Sequence, residues 1–315
     1  MNVFDLHCDT ATELLDRYLN PISRLRNRPG HIDLTRGKRL PGYAQMFAFY
    51  TSAWMQLRDP HSPQEIFDAS LRNFRRELAE NEDWIAQAKT AEEIESVTRE
   101  GKIAAVFSLE GTAGIGYDPG RLEQLAAEGF RMVTLTWNDD NPLAGSHKTG
   151  GGLTEQGREF VRQAQRHHMA LDVSHLSEQA FWELVDMTQG PVSASHSNAR
   201  ALCAHSRNLT DEQFCAICQT GGVAGLNLYT EFLGDGPVTL DTVCRHVLHW
   251  LELGGEHHIA LGGDLDGCEA LPEGFTGVDD YPKLAKRLLR CGVKQETIAD
   301  IFWNNAMRLI RQCSM

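Results

Sequence analysis

Short apolar runs, often β-branched, recur along the chain and are separated by longer amphipathic stretches. Eight runs stand out, at residues 3–6, 46–50, 103–108, 132–136, 169–173, 192–195, 222–227 and 259–262. They are continuous rather than alternating, as strands buried on both faces are. Helical periodicity fills 63–89, 119–128, 154–168, 177–187, 211–220 and 240–253, and two further helical segments, 282–289 and 294–312, end the chain. Hydroxyls stand where helix starts need acceptors: Thr154 precedes Glu155 and Gln156, and Ser177 precedes Glu178. Buried strands alternating with helices predict an α/β fold, a (β/α)8 TIM barrel of parallel strands with extra C-terminal helices. An open doubly wound sheet is the rival. Neither a GxGxxG after the first run nor a P-loop is present. The spaced glycines of 111–116 read as an active-site loop. No repeat, low-complexity tract or long linker divides the chain, so residues 1–315 are expected to form one domain.

Composition narrows the class. With 315 residues, 42% hydrophobic and 23% charged, the chain can bury a large core without disulfides. A net charge of −13 and the lack of any long Lys/Arg run argue against a nucleic-acid partner. The opening MNVFDLHCDTATELLDRYLN has no basic start followed by an apolar stretch, so no secretory leader is expected. No window approaches the roughly eighteen apolar residues of a membrane span. The 8 cysteines are then expected to be free thiols in the cytoplasm. Cys215 and Cys218 form a CxxC with no second pair to complete a zinc site, and read as helix packing residues. Assembly into a homo-oligomer is compatible with the sequence.

The chemistry lies at the C-terminal ends of the runs, where the loops of an α/β barrel gather. His7 and Asp9 follow the first run two residues apart, so an extended chain points both the same way. An imidazole and a carboxylate make half of a zinc site, although a loop histidine beside a helix-capping aspartate would look the same. Glu110 ends the 103–108 run; its two oxygens could bridge metal ions about 3.5–4 Å apart, or it could be an acid at a helix N-terminus. His175 and His196 each stand just past a strand. The other histidines have plainer places: His167 and His168 at a helix end, His246, His249, His257 and His258 on or beside a late helix, and His31, His61 and His205 in loops. Asp264 emerges after the last run, where a carboxylate can take a proton from a metal-bound water. Asp266 could serve instead, or organise the turn. Five potential ligands and one base at the same end of five strands point to a binuclear centre.

The chain carries DLHCDT, SLEG, GLTEQGREFVRQ, LDVSHLS, SASHSNAR, SRNLTDEQ and GGDLDG in that order. This set resembles the membrane (renal) dipeptidase family, peptidase M19, of the metal-dependent amidohydrolase superfamily, over nearly the whole chain. The resemblance implies a zinc-dependent dipeptidase with two divalent metal ions, Zn2+ foremost, though such donors also accept manganese or cobalt. It implies that His7 and Asp9 bind one ion, His175 and His196 the other, and that Glu110 bridges them. Arg207 would bind the substrate carboxylate, Asp264 would handle protons, and Tyr229 would line the pocket. The implied substrate is a dipeptide or a similar small N-acyl amino acid. One departure stands out. The family commonly has a carbonyl-polarising histidine in the loop after the fourth run, and here Trp137 occupies that place. Asn138, His147 or the metal alone would take over the role, with Trp137 packing against the pocket wall. The alternatives are a lactone, cyclic amide or phosphoester hydrolase on the same metals, and a metal-bound barrel that binds a ligand without turnover.

Overall fold

The computed structural model describes residues 1–52 and 60–313. Its strands are β1 (Val3–Asp5), β2 (Tyr43–Tyr50), β3 (Ile85–Gln87), β4 (Ile103–Glu110), β5 (Phe130–Thr134), β6 (Ala170–Asp172), β7 (Val192–Ser193), β8 (Ala224–Leu226) and β9 (Ile259–Leu261). The helices are α1 (Thr10–Glu13), α2 (Leu34–Gly37), α3 (Pro63–Glu80), α4 (Ala91–Arg99), α5 (Leu122–Glu128) and α6 (Glu155–Arg166), then α7 (Glu178–Met187), α8 (Asp211–Gln219), α9 (Leu240–Glu252), α10 (Tyr281–Arg290), α11 (Gln295–Ala299) and α12 (Asn305–Cys313).

All strand pairs are parallel, in the order β7-β6-β5-β4-β2-β1-β9-β8. Just past β7, the Ala194 N–H donates to Val223 O at 2.9 Å and its carbonyl accepts from Gly225 N at 2.7 Å. That bridge joins the two ends of the path and closes the (β/α)8 barrel.

Eight of the nine strands fall on the eight apolar runs. The ninth does not. The 63–89 segment, expected as one helix, ends at Glu80, where Asn81 leaves the helical region and its Nδ2 donates to Glu77 O at 2.8 Å. The chain then turns and supplies β3, which pairs with the first half of β4, while β5 takes the second half after a register shift at Phe107/Ser108. The highly charged α4, capped by Thr90 accepting from Glu93 N, was not expected either. The 294–312 helix is present but carries a π-helical turn at Asp300–Asn304. Thr154 and Ser177 cap α6 and α7 as expected, accepting from Gly157 N and Ala180 N.

Two apolar clusters hold the barrel. In the larger one, Phe49 touches Phe67, Phe74, Phe107 and Phe130 at centroid distances of 5.1–6.2 Å, fixing α3 to β2, β4 and β5. In the second, Phe4, Ala44, Met46, Ala104, Val106, Met132, Ala170 and Ala260 pack with Ala306, Met307, Leu309 and Ile310 of α12. Helix α12 touches β1, β6 and β9, strands on different sides of the ring, so it plugs one end and leaves the other for loops. All eight cysteines are free. Among the described residues no helix is long and apolar enough to cross a membrane.

Backbones approach closely where β7, β8 and β9 meet. A Cβ on Gly225 would lie 1.9 Å from Ser195 O, and one on Gly262 would lie 1.8 Å from the same atom. Only glycine lets these backbones approach so closely. Gly225→Ala should therefore destabilise the fold by about 1–3 kcal/mol through overpacking. Urea unfolding would show it as a lower midpoint at unchanged slope.

Candidate metal centre

Parallel strands deliver their following residues to one rim. His7 and Asp9 follow β1, Glu110 ends β4, Trp137 and Asn138 follow β5, His175 follows β6, His196 follows β7, Tyr229 follows β8 and Asp264 follows β9. With Arg207 from the loop before α8, all but the deeper His7 line one cavity of about 690 Å³, a size suited to a small ligand. His175 (φ 70°) and Asp264 (φ 56°) both adopt left-handed backbone. That conformation is unfavourable for residues with a Cβ, and such strain gathers at functional sites.

Glu110 stands between two histidine groups. Its Oε2 is 3.3 Å from His7 Nε2, which in turn lies 3.6 Å from Asp9 Oδ1 and 3.8 Å from Asp264 Oδ1. Its Oε1 is 3.0 Å from His175 Nε2 and 3.7 Å from His196 Nε2. His7, Asp9 and Glu110 form one group whose donor atoms lie within 4.8 Å of one another, and Glu110, His175 and His196 form a second. A third combines His7, His196 and Asp264.

In the second group the surroundings of the two rings leave their Nε2 lone pairs free. Burial holds His175 and His196 neutral, with help from Arg207 at His175 and from His7 at His196; His175 falls to about 4 and His196 well below its ordinary value. Each ring then has one hydrogen, and the surroundings place it on Nδ1. His175 Nδ1 is 3.0 Å from Asn138 Oδ1, which only accepts. His196 Nδ1 is 2.6 Å from Ser195 Oγ, whose own hydrogen goes to Asp172 Oδ2 at 2.6 Å. The two Nε2 lone pairs therefore face each other at 3.0 Å. Beside them, His7 Nε2, Asp9 Oδ1 and Glu110 Oε2 are buried with no hydrogen-bond partner among the described residues. Buried polar atoms without partners are destabilising, and nitrogen and carboxylate lone pairs that converge fit a divalent cation.

The first group has the opposite balance. Burial alone would neutralise His7, but Glu110 and Asp9 outweigh it and keep its ring charged well above the ordinary range. Glu110 likewise resists burial, because the charged His7 ring holds its carboxyl well below the usual range. Burial and the Glu110 charge push Asp9 up to about 7.

Around this centre lie supports that sequence reasoning passed over. Asp172 accepts from Ser174 N (3.0 Å), Ser195 N (2.8 Å), Thr134 Oγ1 (2.7 Å) and Ser195 Oγ. A charged residue inside the apolar run 169–173 was the visible signal. Asn227 Nδ2 donates to Asp264 Oδ2 at 2.9 Å, and burial raises the Asp264 pKa. Asp266 accepts from Thr10 Oγ1 (2.7 Å), His31 N (2.6 Å) and Arg28, so its oxygens hold the loop together.

The remaining expected residues sit as follows. Arg207 is 4% exposed and packs over Phe232. Its Nη2 reaches His196 O at 3.4 Å, Nε has no partner, and no acidic side chain pairs with it among the described residues. Tyr229 packs edge-on against Phe232, its ring 5.0 Å away. Trp137 forms wall between Tyr50 (4.9 Å) and His175 (6.2 Å). His147 enters the cavity from the segment before α6, with Nε2 2.9 Å from Asn138 Oδ1. The 111–116 loop departs from the expectation. Beyond Glu110 it folds back on α3, with Gly114 N donating to Thr51 Oγ1 at 2.8 Å, and none of its residues lines the cavity.

Known proteins share both chain and architecture. The family model for membrane dipeptidase (peptidase family M19) matches residues 1–315. An uncharacterized protein in the pqqA 5′ region of Klebsiella pneumoniae is 33% identical over 265 residues, covering 80% of this chain and 97% of that protein. A metallopeptidase from Rhodobacter sphaeroides, solved with a phosphinate mimic of the dipeptide L-Ala-D-Ala, superposes with a TM-score of 0.87 at 26% identity, covering 99% of both chains. A metallopeptidase solved as dipeptidase AC gives 0.86 at 28% identity, covering 99% of this chain and 98% of its own. A match that runs from the first residue to the last, on a barrel whose rim gathers metal donors, makes this chain a member of the membrane dipeptidase family, peptidase family M19, and so a metal-dependent hydrolase.

Proposed function

We propose that the chain forms one hydrolase domain that cleaves the amide bond of dipeptides or similar small N-acyl amino acids, using two divalent ions, zinc foremost. The observation that carries this reading is the split carboxylate of Glu110, one oxygen toward His7 and the other toward His175 and His196, beside a buried Arg207 with no ion pair among the described residues. In this reading His7 and Asp9 hold one ion, His175 and His196 the other, and Glu110 both. Such ions supply Lewis-acid polarisation of a carbonyl and a water acidic enough to ionise near neutrality.

The chain's own residues do the rest. A guanidinium buried without a carboxylate is unfavourable by itself, and the free carboxylate of a dipeptide completes it through a bidentate pair. Asp264, raised by burial and anchored by Asn227, is placed to accept a proton at Oδ1 and to pass it to the departing amine. Trp137 and Tyr50 wall the cavity on the β5 side, limiting water there. Eight free cysteines suit a reducing compartment, and the proposal places the enzyme in the cytoplasm.

Three substitutions separate the roles. Glu110→Ala should lose bound metal and activity together, read by metal analysis and dipeptide hydrolysis on one sample. Asp264→Asn should keep the metal while kcat falls by about 10²–10⁴-fold, the range of a lost proton-transfer group. Arg207→Met should lower kcat/KM by about 30-fold or more on dipeptides, as expected when one partner of a buried charge pair is removed. Full dipeptidase activity after metal removal would overturn the mechanism. Turnover of lactones, cyclic amides or phosphoesters, with dipeptides inert at added zinc, would overturn the substrate class.

A further inference from the structure

The two histidines of the second donor group are oriented by different means. His196 is backed by Ser195 and, through it, by the carboxylate of Asp172. Among the described residues no carboxylate backs His175, and its Nδ1 meets the side-chain oxygen of Asn138 at 3.0 Å. The same oxygen lies 2.9 Å from His147 Nε2. A carboxamide oxygen has no hydrogen to give, so both ring nitrogens facing it donate. For His175 that leaves Nε2 as a lone pair, and Nε2 is the atom 3.0 Å from Glu110 Oε1.

His147 has its own anchors. Its backbone N–H donates to His175 O at 2.8 Å, and its Nδ1 lies 2.7 Å from Ser206 Oγ, next to Arg207. Both rings meet the same oxygen, so His147 gives the Asn138 amide a second partner that keeps it turned toward His175. His175 also needs such an anchor more than His196 does, because its left-handed backbone lies outside the strand geometry that aims side chains at the rim.

We propose that Asn138 is a positioning residue of the metal centre: its Oδ1 holds His175 in the tautomer and direction that present Nε2 to an ion, and His147 locks the amide. The inference rests on the two-ion reading given above. Loss of such an outer partner typically weakens metal binding by about 10–100-fold.

The test compares Asn138→Leu, similar in size but without an acceptor, with Asn138→Asp, which keeps the oxygen. Zinc binding to the full-length protein is measured by competition with a chromophoric chelator. Cobalt(II) absorption reports the ligand field, and thermal melting of the metal-free proteins reports folding. The expected result is two ions in the unmodified protein. Asn138→Leu should bind one of them about 10–100-fold more weakly with a changed cobalt spectrum, while Asn138→Asp stays within about threefold of the original affinity. If Asn138→Leu does not fold, Asn138→Ala carries the same expectation. Equal affinity in Asn138→Leu and the unmodified protein overturns the proposal, and so does equal weakening in the Leu and Asp variants. An unmodified protein that takes up no metal overturns the two-ion reading instead.

Discussion

At the mouth of the barrel the side chains of His7, Asp9, Glu110, His175 and His196 bring ring nitrogens and carboxylate oxygens together where water is largely excluded. Such an arrangement opposes folding, because each buried charge loses hydration and like dipoles face each other across 3–4 Å. Among the described residues the charged His7 ring offsets part of it, through Glu110 and Asp9. In the second group both rings are neutral and both Nε2 atoms face Glu110. The rest of the structure has to hold this unfavourable cluster in place. A cation that binds the folded rim returns the deficit as stability, by simple linkage.

That demand explains where the rigidity lies. The phenylalanine cluster ties α3 to β2, β4 and β5, and therefore fixes the strand that carries Glu110. Helix α12 seals the opposite end, so the barrel cannot relieve strain by opening from below. Ser195 O, wedged against Gly225 and Gly262, sets the height at which His196 leaves β7. Across the cavity Arg207 carries the converse problem, a buried cation with no ion-pair partner among the described residues and no hydrogen bond at Nε. In the function proposed above, a substrate with a free carboxylate would answer one deficit and divalent ions the other, both within one small cavity.

Much of this was legible in the chain, for definite reasons. Strands buried on both faces leave long apolar runs, and ligands at strand ends interrupt those runs at recognisable points: His7 after Leu6, Glu110 after Leu109, His196 after Ser195. The order of the motifs then identified the family without any distance. What escaped has physical causes too. Strand β3 is three residues long and follows a helix with only a short turn between, so periodicity merges the two. Helix α4 buries only Ala91, Ile94 and Thr98, too narrow an apolar stripe to stand out among its charges. The orienting groups Asp172, Ser195 and Asn227 act through contacts between strands, and spacing along one strand does not report its neighbours. The 111–116 glycines looked like an active-site loop because they follow Glu110, but the chain turns back onto α3 there.

Trp137 and Asn138 share the loop after β5. The indole packs against Tyr50, and Asn138, the next residue, places its side-chain oxygen on His175 Nδ1. A neutral amide behind His175 and a carboxylate-backed hydroxyl behind His196 do not act alike. The carboxylate chain raises the basicity of the imidazole it supports, whereas the amide fixes direction with little added charge. The two histidines are therefore unequal donors although they follow successive barrel strands and face the same oxygen of Glu110. The inequality originates in the strand ends: just past β7, Ser195 reaches Asp172 on β6, whereas the loop after β5 brings the amide of Asn138 to His175.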